Sequence, residues 1–481
     1  ATAKLSTTVK GISVHGEVAA SQDYPDLRPT LDFNFAAVKK LDPRIKYYRT
    51  GPASYVNEFG RVVLVAENEP RFDHDPLTRE SKGLLMEFTR VNFLSNSEFV
   101  SSYGSGNSWT YGVGTDVFSA SSGSQLSTNP DGSSPAYHYA PSSTAGYHRL
   151  YRTFTLDAYD TSYVVSVFAK RVTTGSASSL NRYLEIEISG DFANNGAPTG
   201  HSGSHGMSSV TFDLQGDGAI STEATTTHGY VGSPKMEKYA NGWWRLSYVF
   251  NPGTNDGSST LTGNIWFGHP ATLANDGGSE TGNGNPSFYL WGGMIEKGGH
   301  LTSYIPNHGD YNATRGNEHA VVDGDDFTDF YNPAESSVLA VGTMQRPAAS
   351  QGQLNIFHIG DDNEDGHGVF REHGTKDVWY HIRNGNSTPS GGNLNPSGFG
   401  DWDADEEARI AMAFKDGDQA ISVNGGNQIT ATVTSSYPTA DITKMWIGSH
   451  GNGSFFEGTI SRIAYYPKLL TDNQLNTLTA S

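Results

Sequence analysis

Hydrophobic and polar residues alternate with a period of two over several short stretches of this chain, and Gly, Asn, Ser and Asp cluster between them. Residues 183–188, Tyr-Leu-Glu-Ile-Glu-Ile, show the alternation most clearly. Other apolar stretches of strand length cover residues 163–169, 243–250, 288–295, 337–344 and 408–414. This period and turn density predict antiparallel strands packed as β-sandwiches or jelly rolls. Only the tail, residues 471–478, predicts a helix, with Thr471 as its N-cap.

The predicted fold class is all-β, with an N-terminal module followed by two β-sandwich domains of the jelly-roll type. Shifts in composition and patterning place the boundaries. The predicted units are an arm (1–30), the N-terminal module (31–95), a first sandwich (96–305), a linker rich in Asn, Gly and Asp (306–325) and a second sandwich (326–481).

Composition supports this picture and excludes several functions. Gly accounts for 56 of 481 residues and charged residues for only 17%, which suits strands joined by many turns. The formal net charge of −19 disfavours nucleic-acid binding, which needs a basic surface. The chain has no Cys, so disulfides and thiolate metal sites are impossible, and a reducing cytosol suits its synthesis. No apolar run is long enough to predict membrane insertion.

Three sets of motifs resemble known modules. The first set resembles a module common in tailed-bacteriophage virion proteins and comprises residues 31–36, 41–45, 69–76, 83–87 and 90–92. The second set is similar to jelly-roll carbohydrate-binding-like modules and comprises residues 241–245, 290–296 and 303–306. The third set resembles concanavalin A/laminin-G-like lectin folds and comprises residues 411–414, 423–426, 447–448 and 456–466.

The resemblance implies a structural virion protein, such as a fibre, spike or capsid appendage, that displays lectin-like domains for adsorption to host-surface glycans. It implies synthesis in the host bacterial cytoplasm, a place on the virion surface, and attachment through residues 31–95. The expected partners are other virion proteins, sister chains in a homotrimer and a host cell-surface glycan. Two alternatives remain: a purely structural decoration or assembly protein, and a polysaccharide depolymerase.

Aromatic side chains are the candidates for glycan binding, because sugar C–H faces stack on exposed rings. The candidates are Trp109, Tyr111, Tyr137, Tyr139, Tyr147, Trp244, Trp379, Tyr380 and Trp402. The alternative for each is packing, either as a plug over a sandwich end or within a core.

Oxygen-rich residues between two predicted strands suggest a Ca²⁺ site, since Ca²⁺ prefers oxygen ligands from flexible loops. The candidates are Asp361, Asp362, Asn363 and Asp365, and the alternative is a solvated acidic turn. A second possibility is a transition-metal site, because four histidines lie close together in sequence: His358, His367, His373 and His381. Scattered surface histidines are the commoner explanation of such a pattern.

No catalytic residue is predicted. The motifs of a nucleophile elbow, a zinc protease and a P-loop do not occur in the sequence. Glu185 and Glu187 alternate on one face of a predicted strand, which is the arrangement the depolymerase alternative would use. A solvent-facing strand explains the same two residues without catalysis.

Overall fold

The computed structural model describes most of the chain. The described residues are 5–8, 11–14, 28–99, 109–159, 161–173, 181–190, 206–221, 231–252, 261–273, 280–309, 311–346, 353–361, 365–372, 374–384, 393–394, 402–426, 429–431, 442–451 and 453–480. Nearly all regular structure within them is β, which confirms the predicted all-β class.

The N-terminal part of the chain forms short strands and one helical turn. These elements are β1 (Leu5–Thr8), β2 (Gly11–Val14), β3 (Leu31–Asn34), α1 (Phe35–Val38), β4 (Lys46–Tyr48), β5 (Ala53–Val56), β6 (Val62–Val65), β7 (Phe72–His74), β8 (Ser81–Met86) and β9 (Arg90–Asn92). The pairs β1–β2 and β5–β6 each form a separate two-stranded antiparallel sheet.

The middle of the chain forms a sandwich that we call the inserted sandwich. Its strands are β10 (Thr110–Tyr111), β11 (Val117–Ala120), β12 (Tyr137–Ala140), β13 (Ala145–Gly146), β14 (Arg149–Thr155), β15 (Tyr163–Arg171), β16 (Tyr183–Gly190), β17 (Gly206–Asp213), β18 (Ala219–Ile220), β19 (Val231–Lys238), β20 (Trp244–Phe250), β21 (Thr262–Gly268), β22 (Glu280–Thr281) and β23 (Phe288–Lys297). One sheet has the order β10-β14-β21-β16-β17-β18 and the other β11-β12-β23-β15-β20-β19. Short 3₁₀ turns cover Gly123–Gln125 and Ala240–Gly242, and β13 pairs with β22 apart from both sheets.

Alternation along the strands places the core of the inserted sandwich between its two sheets. On β16, Leu184, Ile186 and Ile188 are buried in that core, as the period of two predicts. The adjacent Trp243 and Trp244 face opposite sides, and each is buried in a different hydrophobic cluster.

The C-terminal part of the chain supplies most of a second sandwich. Its elements are β24 (Ala313–Arg315), β25 (His319–Asp323), α2 (Asp325–Thr328), β26 (Glu335–Met344), β27 (Gln353–Gly360), β28 (Gly366–Glu372), β29 (Val378–Arg383), β30 (Asn393–Leu394), β31 (Glu407–Lys415), β32 (Asp418–Val423), β33 (Ile429–Ala431), β34 (Lys444–Ile447), β35 (Gly458–Tyr466) and α3 (Asp472–Thr479). The predicted tail helix is confirmed, and the Gln474 side chain accepts a hydrogen bond from the Thr471 amide at 2.9 Å, as in a capping box. Among the described helices, none has the length and hydropathy needed to cross a bilayer.

Strands from both ends of the chain complete this second sandwich, which we call the split sandwich. One sheet has the order β30-β29-β28-β27-β34-β25-β4, and the other β33-β32-β31-β26-β35-β8-β7 with β3 also paired to β35. Phe33 pairs with Ile463, and Leu84 with Ile460, so the N-terminal strands bury their apolar residues in the same core as β35.

The structure therefore differs from the sequence-based division of the chain. Residues 31–95 are predicted as a module of their own, but β3, β4, β7 and β8 lie in the sheets of the split sandwich. Residues 306–325 are predicted as a linker, but β24 and β25 lie within them. Period-two alternation shows that a strand has a buried face, and it carries no information on which distant strand lies beside it.

A two-stranded ribbon carries the chain into and out of the inserted sandwich. β9 and β24 are antiparallel, with Asn92 opposite Ala313. The Asn92 side-chain amide donates to the carbonyl oxygen of Ile305 at 2.8 Å, where the chain leaves the inserted sandwich. The whole inserted sandwich thus lies between two chain positions that are direct neighbours in space.

A network of buried ion pairs beside this ribbon makes hydrogen bonds to Ser303, where the chain leaves the inserted sandwich. Arg71 lies 2.6 Å from Glu87 and 2.7 Å from Glu318, and Arg315 lies 3.0 Å from Glu87, with all four side chains fully buried. The Ser303 amide and hydroxyl both donate to Glu87 at 2.7 Å. Burial by itself would raise the pKa of Glu87, but Arg315 and Arg71 outweigh it and hold this pKa far below its usual value. We call Arg71, Glu87, Ser303, Arg315 and Glu318 the joint network.

Candidate glycan-binding face

Two of the five predicted loop aromatics, Trp109 and Tyr139, are part of the core. The Trp109 indole donates to the Asn96 carbonyl oxygen at 3.2 Å, and its ring stacks on Phe99 with centroids 4.5 Å apart. Tyr139 is fully buried and donates to Asp116 at 2.5 Å. Burial and this carboxylate raise the pKa of the Tyr139 phenol well above its usual value, so the phenol stays a neutral donor.

Of the other three candidates in this region, one is well exposed. Tyr111 and Tyr137 are half-buried, and the Tyr137 ring packs 5.7 Å from that of Phe118. Tyr147 is 54% exposed, which makes it the most accessible of the five candidates between residues 109 and 147.

The remaining four candidates are mainly packing residues as well. Trp244, Tyr380 and Trp402 are buried, and the Trp402 indole donates to the Glu406 carbonyl oxygen at 2.9 Å. Trp379 is half-buried and stacks on Phe370 with centroids 6.4 Å apart.

A group of neighbouring aromatic and charged side chains lies on the outward face of one sheet of the inserted sandwich. Tyr151 on β14 is directly opposite Trp266 on β21, which is in turn opposite Glu187 on β16. Because these residues share one row across three strands, their side chains project from the same side of the sheet. The Tyr151 and Trp266 rings have centroids 4.1 Å apart, and both residues are half-buried.

Charged groups hold this pair of rings in place. An Arg149 guanidinium nitrogen lies 2.9 Å from the Glu187 carboxylate. The same guanidinium lies 4.9 Å from the centre of the Tyr147 ring and 5.5 Å from that of Trp266, as in cation–π contacts. The Trp266 indole donates to the Ser189 hydroxyl at 2.7 Å. We call Tyr147, Arg149, Tyr151, Glu187 and Trp266 the Trp266 face.

Of the five residues of the Trp266 face, sequence reasoning named Tyr147 for glycan binding and missed Arg149, Tyr151 and Trp266. The usable signal was alternation: Arg149 and Tyr151 alternate with buried residues on β14, and Trp266 alternates with Ile265 and Phe267 on β21. Cross-strand register was needed to bring the three together.

The two acidic residues of the depolymerase alternative also lie on this side of the sheet. Glu187 is engaged by Arg149, and Glu185 is fully buried opposite Gly268. A Cβ atom at position 268 would come within 2.9 Å of a Glu185 carboxylate oxygen, so the glycine makes room for this side chain. Both carboxylates are therefore buried against the sheet. The sequence-based alternative to catalysis placed these two residues on a solvent-facing strand.

Two of the four Ca²⁺ candidates, Asp361 and Asp365, are among the described residues and lie between β27 and β28. The Asp365 amide donates to the Asp361 carboxylate at 2.9 Å, and the Asp361 amide donates to the Asp365 carbonyl oxygen at 3.0 Å. Asp362 and Asn363 lie outside the described residues. One of the two described carboxylates thus supports the turn that joins β27 to β28.

The histidines expected to be scattered on the surface are buried where the structure describes them. His367 packs against Phe414 with centroids 5.4 Å apart. His358 and His381 are buried with ring centroids 5.6 Å apart, and His373 lies outside the described residues.

Comparison with known proteins returns structural likenesses only. No protein-family model and no curated protein matches the chain. The carbohydrate-binding CBM40 of the Ruminococcus gnavus IT-sialidase is 15% identical, with 31% of this chain and 84% of that chain covered and a TM-score of 0.26. Domain 4 of AbnA, a GH43 arabinanase from Geobacillus stearothermophilus, is 16% identical, with 34% and 73% covered and a TM-score of 0.26. Trypanosoma rangeli sialidase is 13% identical, with 57% and 48% covered and a TM-score of 0.27. Such likenesses carry no functional argument, so the proposals below rest on this chain's own residues.

Proposed function

We propose that this chain is a non-enzymatic bacteriophage virion protein, a fibre, spike or capsid appendage, that adsorbs to a host-surface glycan. The phage-like motifs in residues 69–76 and 83–87 support the particle context. The observation that carries glycan binding is the Tyr151–Trp266 pair, which lies half-buried on the outward face of a sheet beside an Arg–Glu ion pair.

Each part of the Trp266 face has a role in this proposal. The rings of Tyr151 and Trp266 offer apolar surface for the C–H face of a pyranose. Arg149 donates hydrogen bonds to hydroxyl or carboxylate oxygens, and Glu187 holds the guanidinium in place for that purpose. Tyr147 forms an exposed rim next to Arg149.

Binding of the full-length protein to host cells tests the proposal through Trp266→Ala. Loss of the ring should weaken binding about tenfold or more, which corresponds to about 1.4 kcal/mol. Trp266→Phe should retain most of the affinity, because it keeps an aromatic face. Tyr311→Ala is the matched control, because Tyr311 is an aromatic residue that is 86% exposed and lies outside the face.

The alternatives give different outcomes in the same experiment. A wild-type protein that labels the phage particle but never binds cells or their isolated polysaccharide supports a purely structural role. New reducing ends in the polysaccharide that disappear with Glu185→Gln support a depolymerase. Binding that is equal in wild type and Trp266→Ala rules out the Trp266 face.

A further inference from the structure

Two histidines of the split sandwich face each other across a glycine. His358 on β27 pairs with Gly368 on β28, and Gly368 pairs in turn with His381 on β29. The three positions form one row, so both imidazoles project from the same side of the sheet. Gly368 has no side chain, and a Cβ atom there would come within 3.1 Å of the His358 Nδ1. The space between the two imidazoles is therefore left open.

A third histidine comes from the loop that follows β34. The His450 ring lies 4.2 Å from the His358 ring and 5.9 Å from the His381 ring, measured between centroids. Backbone hydrogen bonds at both ends of the loop hold it against β27: the Gly448 amide donates to Ile356 at 2.9 Å, and the Asn355 amide donates to Ser454 at 3.0 Å.

The three imidazoles are buried, and their ring nitrogens lie close together. One nitrogen from each ring lies within 4.8 Å of the other two, and all three residues are buried. Among the described residues, the Nδ1 of His358 and the Nε2 of His381 have no hydrogen-bond partner. Buried polar atoms are nearly always satisfied, so nitrogen atoms left this way point to a ligand.

We propose that His358, His381 and His450 bind a divalent transition-metal ion, with Zn²⁺ as the best fit. Imidazole nitrogen is a preferred ligand of Zn²⁺, at about 2.0–2.1 Å, whereas Ca²⁺ takes oxygen ligands. Bonds of that length bring the three nitrogens to about 3.3 Å from one another, a contraction that side-chain rotation supplies.

The ion would connect two strands of one sheet to the loop that carries His450. Its binding should therefore stabilise the folded protein and leave the Trp266 face, in the other sandwich, unchanged.

Metal titration of the untagged full-length protein after dialysis against EDTA tests the proposal. One Zn²⁺ per chain should bind, measured by competition with a chromogenic chelator, and the melting temperature should rise as Zn²⁺ is added. Co²⁺ should give the intense visible absorption of a tetrahedral site. His450→Gln and His381→Gln should each weaken Zn²⁺ binding by at least ~100-fold, since loss of even an outer partner of a metal ligand costs 10- to 100-fold.

His308→Gln serves as the control, because His308 is a partly exposed histidine that pairs with Glu98 instead. It should bind Zn²⁺ as the wild type does. Melting curves in EDTA show whether each variant is folded before metal is added. The wild-type titration decides independently of the variants: absence of stoichiometric Zn²⁺ binding, or a Co²⁺ spectrum of octahedral type, overturns the proposal.

Discussion

Asp73 is a buried carboxyl group in the middle of β7. It accepts a hydrogen bond from the Val56 amide at 2.8 Å. Burial, opposed only in part by Lys82, raises the pKa of Asp73 to about 6. An unfolded chain has an Asp pKa of about 3.9, so the folded protein holds the Asp73 proton more tightly. Its ionisation between about pH 4 and pH 6 therefore removes stability as the pH rises.

Asp73→Asn should stabilise the protein at about pH 8 by up to ~3 kcal/mol, because Asn keeps the acceptor oxygen for Val56 and carries no charge. The gain should shrink as the pH falls from about 6 and vanish at about pH 3 and below, where Asp73 is protonated in both the folded and unfolded states. Urea unfolding of wild type and variant across this pH range measures the difference. A difference that does not change with pH would contradict a raised pKa at Asp73.

At the scale of elements, the split sandwich depends on strands from both sides of the insertion. β35 has β3 and β8 among its partners, and both come from the N-terminal part of the chain. A C-terminal fragment that begins at residue 313 would expose the apolar residues these strands cover, such as Ile460 and Ile463.

Residues 28–92 joined to residues 313–481 through a short turn should fold without the inserted sandwich. Asn92 and Ala313 are opposite each other in the β9–β24 ribbon, so a two-residue Asn-Gly turn can close it. Residues 313–481 alone should be aggregated or molten, because β35 loses two of its partners. Near-UV circular dichroism and size-exclusion chromatography compare the two proteins. If residues 313–481 fold alone as well as the fusion does, the N-terminal strands are dispensable for this sandwich.

At the scale of the whole molecule, the joint network connects the split sandwich to the exit of the inserted sandwich. Glu87 accepts hydrogen bonds from Ser303, at the exit of the inserted sandwich, and lies next to Arg71 and Arg315. Removing one partner from a buried ion network leaves uncompensated charge in the interior, at a cost of about 3–5 kcal/mol.

Glu87→Gln should lower the melting temperature and let the two sandwiches unfold separately. Calorimetry should then show two transitions for the variant and one for the wild type. Asp32→Asn is the matched control, since it breaks the exposed Asp32–Arg462 pair and should cost under ~1 kcal/mol. A Glu87→Gln protein that melts like this control would show that the joint network contributes no net stability.

Several features followed from the sequence by itself. Period-two alternation identified strands such as β15, β16, β20 and β23, the all-β class and the tail helix, because one buried face per strand is a local property of the chain. The motifs in residues 69–76 and 83–87 contain Arg71 and Glu87, and the sequence did not show what these two residues do. In the structure these residues belong to the joint network, so the motif includes a structural joint.

Tertiary structure alone decided which elements and side chains meet. Insertion of one sandwich into the other, the row that brings Tyr151 beside Trp266, and the approach of His450 to His358 and His381 all join residues far apart in sequence. Most predicted aromatic candidates became core residues for the same reason. A single strand specifies that a side chain faces inward or outward, but strand pairing and register determine its neighbours and whether water reaches it.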